Sequence, residues 1–178
     1  GVIAADVTGV GLNRGSGAAA EYGGDKGIFA AGNGDPGGAV TGISNLCSNT
    51  GVIATDTTAV MTAKAGLIGV EYDGDKGIFA FGVDASGTTN TRNLVSNSGV
   101  IASVASGAGT TSRDGAACSY GTDQPTAIHA FGTGDVSNLI SSSGVIASDT
   151  TGVGTNRDNS AATEYGGDKG IFAYGYTS

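Results

Sequence analysis

"EYGGDKGIFA" occupies Glu21–Ala30, returns as "EYDGDKGIFA" at Glu71–Ala80 and as "EYGGDKGIFA" at Glu164–Ala173, and has a degenerate copy, "SYGTDQPTAIHA", at Ser119–Ala130. In each full copy, short apolar, β-branched and aromatic runs flank a centre of Gly and Asp. That is the pattern of two short strands joined by a tight turn, where Gly and Asp tolerate positive φ. The stretch predicts a hairpin, and its recurrence predicts a scaffold made of such hairpins.

A second motif travels with the first: "GVIAADVTGVGLNR" from Gly1, "GVIATDTTAVMTAK" from Gly51, "GVIASVASGAGTTSR" from Gly99 and "GVIASDTTGVGTNR" from Gly144, with starts 50, 48 and 45 residues apart. Ahead of the last three stands a third element, "SNLCSNT", "RNLVSNS" or "SNLISSS". One unit thus carries four short strands, a length and strand count typical of propeller blades at about 40 to 50 residues each. No stretch places apolar residues at i, i+3, i+4 and i+7 over three turns, and the abundant glycine disfavours helix interiors. The expectation is a single all-β repeat domain over 1–178, with units cut at Gly1, Gly51, Gly99 and Gly144.

Composition narrows the classes. A chain of 178 residues with 34 Gly and only 2 Pro, but no Gly-X-Y triplet and a regular spread of Ile, Val, Phe and Tyr, reads as folded and turn-rich. The formal net charge of −8 and the lack of any Lys/Arg cluster argue against nucleic acid as a partner. No apolar run is long enough to cross a bilayer as a helix, so no membrane insertion of that kind is expected. The chain opens on Gly1 rather than Met, which reads as a processed product, a fragment or part of a longer chain.

The order in which "AAxEYGGDKGIFAxG" precedes "NLVSNSGVIASDTTGVG" resembles the kelch class of propeller repeat, in which a small-residue strand and an aromatic strand ending in glycine precede two outer strands. Two features depart from that class: the glycine doublet Gly23-Gly24 lies before the aromatic strand, and there is no tryptophan. Repeats of this Gly-Asp-Lys, Ile-Phe, Gly type are also similar to those of phage virion and microbial surface proteins. The resemblance implies a four-repeat propeller-like ring, with the strand at Gly1–Ala4 closing the last unit. An open stack of β repeats in a fibre is the alternative, because no Asn-Leu-x-Ser-Asn element follows Ser178 to complete that unit.

Residues able to carry chemistry mostly fall at repeat positions. Asp25, Asp75, Asp123 and Asp168 offer one carboxylate per turn, too few oxygens for a calcium site, and they match no cation-binding spacing. Neither a metal nor a cofactor is expected. Arg14, Lys64, Arg113 and Arg157 share one repeat position, and Lys26, Lys76 and Lys169 another, so ion pairs with the recurrent Glu21, Glu71 and Glu164 are the simple expectation; a channel lined by the basic groups would instead hold an anion or an acidic glycan. Cys47 and Cys118 replace small apolar strand residues in units far apart, which favours free thiols over a disulfide. No nucleophile elbow, phosphate loop or zinc motif is present.

The third copy departs most from the pattern. Ser119 stands for Glu, Gln124 for Lys, His129 for Phe and Val104 for Asp, and the turn gains two residues around Pro125. A lone His in a core aromatic slot reads first as a hydrogen-bonded substitution. Ser119, Gln124 and His129, with the aromatics Tyr174 and Tyr176, are the candidate binding residues, and no catalytic residue is assigned. The function expected is a non-enzymatic structural or adhesive repeat protein of an extracellular filament, surface or virion assembly, whose partners are other copies of itself or a larger assembly. A carbohydrate-binding propeller module is the alternative, with glycans as ligands.

Overall fold

The computed structural model describes residues 5, 8–35, 37–58 and 61–177; the expected closing strand at Gly1–Ala4 lies outside them. Among the described residues every regular element is a β-strand, and all pairings are antiparallel. Each of the first three repeats is built on a four-stranded sheet, and short pairings of Arg14–Gly15 with Asn33–Gly34 and of Val83–Asp84 with Gly87–Thr88 accompany the first two. The first sheet orders Ala18–Tyr22, Lys26–Ala30, Ile43–Cys47 and Thr57–Thr58. The second orders Ile68–Tyr72, Lys76–Ala80, Thr91–Val95 and Ala105–Ser106. The third orders Ala116–Tyr120, Thr126–Ala130, Val136–Ile140 and Thr150–Thr151. Among the described residues the fourth repeat contributes one hairpin, Ala161–Tyr165 with Lys169–Ala173.

Register is preserved from sheet to sheet. Tyr22 pairs with Lys26, Tyr72 with Lys76 and Tyr165 with Lys169 across the hairpin turn. On the other edge of the second strand, Phe29 pairs with Asn45, Phe79 with Asn93 and His129 with Asn138. The turns behave as the glycines predict: Gly23 and Gly24, Asp73 and Gly74, and Gly166 and Gly167 all have positive φ. In the third copy the longer turn places Gly121, Asp123 and Gln124 there instead.

The core lies between sheets rather than within one. One cluster joins Ala20, Tyr22, Ile28 and Ala31 of the first repeat to Phe79, Val95 and Ile101 of the second. The next joins Val70, Tyr72, Ile78 and Phe81 of the second to Ala127, Ile140 and Ile146 of the third. A five-residue-strand sheet cannot bury both faces by itself, so the apolar residues on alternate positions need a neighbouring sheet.

Three backbone hydrogen bonds recur at every joint. At the hairpin turns, Gly23 N donates to Asp75 O (2.7 Å), Asp73 N to Pro125 O (3.2 Å) and Gly121 N to Asp168 O (3.1 Å). After the second strands, Gly32 N donates to Lys64 O (2.8 Å), Gly82 N to Ser112 O (2.7 Å) and Gly132 N to Arg157 O (2.9 Å). Ahead of the first strands, Gly66 N donates to Ser16 O, Asp114 N to Gly66 O and Asn159 N to Asp114 O, at 2.7–2.9 Å. The opening motif therefore supplies both a turn and the joint to the following repeat.

The residue pair closing that motif explains the direction of the joint. Ala31, Phe81, Phe131 and Tyr174 all have φ between 60° and 67°, and the glycine after each is also left-handed. A bulky residue held there costs about 1–2 kcal/mol, and the packing across the joint offsets it. Phe81 stacks on His129 of the next sheet with ring centroids 4.2 Å apart, and Phe131 meets Phe172 edge-on at 5.9 Å.

Candidate functional site

The first strands of successive repeats lie side by side, and together they line a cleft of about 450 Å³. Its acidic groups come from one repeat position. Glu21, Glu71 and Glu164 face it from the first, second and fourth repeats, and Ser119 holds the equivalent place in the third. Ala20, Val70, Cys118 and Thr163 supply the wall between them.

Electrostatics follow from that crowding. Burial raises the Glu71 carboxyl to about 7, and the carboxylates of Glu21, Asp75 and Glu164 push the same way. A fourth Glu at position 119 would add a further like charge. Ser119 avoids it, and Gln124, from the lengthened turn of the same repeat, donates its Nε2 hydrogen to Glu164 Oε2. Two of the substitutions in the divergent copy thus act together at the cleft.

The other candidate residues lie elsewhere. His129 is 1% exposed, stacked on Phe81, with Nδ1 3.3 Å from Asn138 Oδ1. Burial lowers its pKa to about 4, so the ring is neutral at pH 7 and fills the aromatic slot that Phe79 fills in the second repeat. Tyr174 and Tyr176, which follow the final hairpin, are strongly exposed. The five residues therefore do not converge: Ser119 and Gln124 belong to the cleft, His129 to a joint, and the two tyrosines to a free face.

The basic residues are placed differently from the Glu pairing expected of them. Lys26 pairs with Asp25 at 2.5 Å, Lys76 with Asp73 and Asp75, and Lys169 with Asp168, all within single turns. Lysine reaches the turn carboxylate because both flank the same few residues, whereas Glu points to the cleft. Arg14 Nη2 donates to Asn45 Oδ1 at 2.5 Å, and its Nη1 lies 3.8 Å from Asp56 Oδ1. Lys64 is fully buried, donates to Thr91 Oγ1 at 3.0 Å and has its pKa lowered to about 8 by desolvation. The charged lining of the cleft is thus acidic, which suits neutral or cationic groups better than anions.

Among the described residues no group of three or more His, Cys, Asp and Glu side chains is placed to hold a metal ion. Cys47 and Cys118 are free thiols, and burial raises the Cys118 pKa. Cys118 packs at the joint to the final hairpin, where a Cβ on Gly170 would lie 2.5 Å from its Sγ. The Glu cluster was open to sequence reasoning through the shared repeat position, but only the stacking of the sheets shows that this position faces a common cleft. No protein-family model matches the chain, and no curated protein matches it either.

Proposed function

We propose that this chain is a non-enzymatic structural or adhesive repeat module of an extracellular filament, surface or virion assembly, its four kelch-like repeats set in propeller fashion around the acidic cleft. The observation that carries this reading is the use of the most distinctive motif. In each of the first three repeats its turn and its terminal glycine donate backbone hydrogen bonds to the next repeat. Residues that look like a signature are consumed in joining units, which is what a self-propagating scaffold requires.

The His129 geometry supports the non-enzymatic side of the reading, since a neutral ring stacked between sheets has no access to a substrate. Between the first repeat and the final hairpin, none of the recurrent joint hydrogen bonds forms among the described residues. Those two faces are thus left without the joint contacts that the other repeats make. Negative-stain electron microscopy of the purified chain tests the reading: arrays or filaments are expected, and uniformly dispersed particles at all concentrations would count against it.

Exposure of Tyr174 and Tyr176 favours a second reading, a carbohydrate-binding module that stacks sugar rings on these aromatics. Binding on a glycan array that disappears in a Tyr174→Ala, Tyr176→Ala double variant would select it.

A further inference from the structure

Each of the first two joints has two halves. The outgoing half, on the earlier repeat, presents a Tyr, an Ile and the left-handed residue before the terminal glycine. The incoming half, on the later repeat, presents the Phe or His of the second strand and the glycine that opens the Gly-Val-Ile motif. At the first joint, a Cβ on Gly99 would lie 3.0 Å from the ring of Tyr22 and 2.9 Å from Leu46. At the second, Gly144 meets the Tyr72 ring in the same way, at 3.1 Å.

The first sheet and the final hairpin each leave one half exposed. On the final hairpin, Tyr165, Ile171 and Tyr174 are 52%, 49% and 84% exposed, whereas Tyr72, Ile78 and Phe81 in the second sheet are 3%, 0% and 0% exposed. On the first sheet, Phe29 is 41% exposed against 0% for Phe79, and Gly51 has no atom within 4 Å of its would-be Cβ. The third sheet shows what partial cover does. Tyr120, Ile128 and Phe131 are half-buried, and among the described residues the unit that follows sets two strands against them.

We infer that a second copy of this chain docks head-to-tail, seating its first sheet on the final hairpin so that Tyr165, Ile171 and Tyr174 cover its Gly51 and Phe29. The argument is continuity with an interface that the chain already makes between its own sheets. The surfaces differ at the two ends, so the contact is heterologous and propagates rather than closing as a two-fold dimer. This inference rests on the assembly reading above and names the faces that carry it.

Sedimentation velocity on the intact chain, on Phe29→Glu and on Ile171→Lys, alone and mixed, tests it. Both substituted residues are a little under half exposed, and circular dichroism with thermal midpoints confirms that each variant folds; Tyr174→Ser serves as a second outgoing-face variant. The wild type is expected to show concentration-dependent species beyond the dimer. Each variant should self-associate at least about tenfold more weakly. An equimolar mixture of Phe29→Glu and Ile171→Lys should form a dimer and nothing larger, since each variant retains one intact face. Assembly that persists unchanged in both variants would overturn the inference while leaving the assembly reading in place. A wild type that stays monomeric while both substitutions lower its thermal midpoint would show instead that the chain closes on itself. A wild type that stays monomeric and indifferent to both substitutions, and forms no arrays by microscopy, would overturn inference and reading together.

Discussion

Replacing Gly82 by alanine tests the joint most sharply, because that residue meets two constraints at once. Its φ is +95°, and its amide donates to Ser112 O of the next repeat at 2.7 Å. An added Cβ would sit 2.7 Å from Ala65 O and 3.0 Å from Leu67 Cβ. The carbonyl of Ala65 cannot swing away freely, because Ala65 and Val83 exchange backbone hydrogen bonds of 3.0 and 2.8 Å. Forcing an L-residue into the left-handed region costs about 1–2 kcal/mol. Losing the hydrogen bond across the joint adds about 1 kcal/mol, and relieving the overlap about 1 kcal/mol or more. The expected loss is therefore about 3–4 kcal/mol. Gly87 is the control, since it also has positive φ (117°) but nothing within 4 Å of its would-be Cβ, so alanine there costs the backbone contribution alone, about 1–2 kcal/mol. With a urea m-value of about 2 kcal/mol/M, Gly82→Ala should lower the unfolding midpoint by about 1.5–2 M and Gly87→Ala by about 0.5–1 M. Equal midpoints for the two variants would refute the claim that this glycine sets the joint.

Three further outcomes follow from burial and charge. Phe79→Ala should cost about 3–5 kcal/mol because its ring is fully buried between two sheets, while Phe29→Ala, at the same repeat position on the free face, should cost under about 1 kcal/mol in the monomer; chemical denaturation of dilute protein compares them. The folded-state pKa of Glu71 is raised from 4.5 to about 7, so the native state holds a proton that the unfolded chain releases, and stability from this group is full below pH 4.5 and lost as pH rises to about 7. Glu71→Gln should stabilise the protein by about 1–2 kcal/mol at pH 8, allowing for solvent in the cleft, and leave it unchanged near pH 4, as read from urea midpoints across pH. His129 shifts the opposite way, from 6.5 down to about 4, so its contribution is full above pH 6.5 and lost as pH falls through about 4; His129→Phe should flatten the acid limb of the same profile by up to about 3 kcal/mol.

Local chemistry made part of this structure legible in the sequence. The strands Lys26–Ala30 and Lys76–Ala80 and the left-handed turns before them are specified by residues within a few positions of one another. That His129 fills an aromatic slot was equally readable, since it takes the place of a phenylalanine in a repeat. The rest depends on which face of each sheet meets its neighbour. Glu21 and Lys26 lie close in sequence and suggested a pair, yet alternation sends the Glu to the cleft while the Lys turns to Asp25. The full burial of Lys64 had no such signal, because its partner, Thr91, lies 27 residues further along the same repeat. Nor could the sequence distinguish Phe29 from Phe79, identical in local context and opposite in exposure, because the difference lies in whether a repeat stands in front.

Electron microscopy of the purified chain over a rising concentration series bears most directly on the central claim that these repeats are joints of a self-propagating scaffold. The account predicts head-to-tail arrays that lengthen with concentration and are capped when Phe29→Glu chains are added. Dispersed single particles at every concentration, unaffected by that variant, would contradict it.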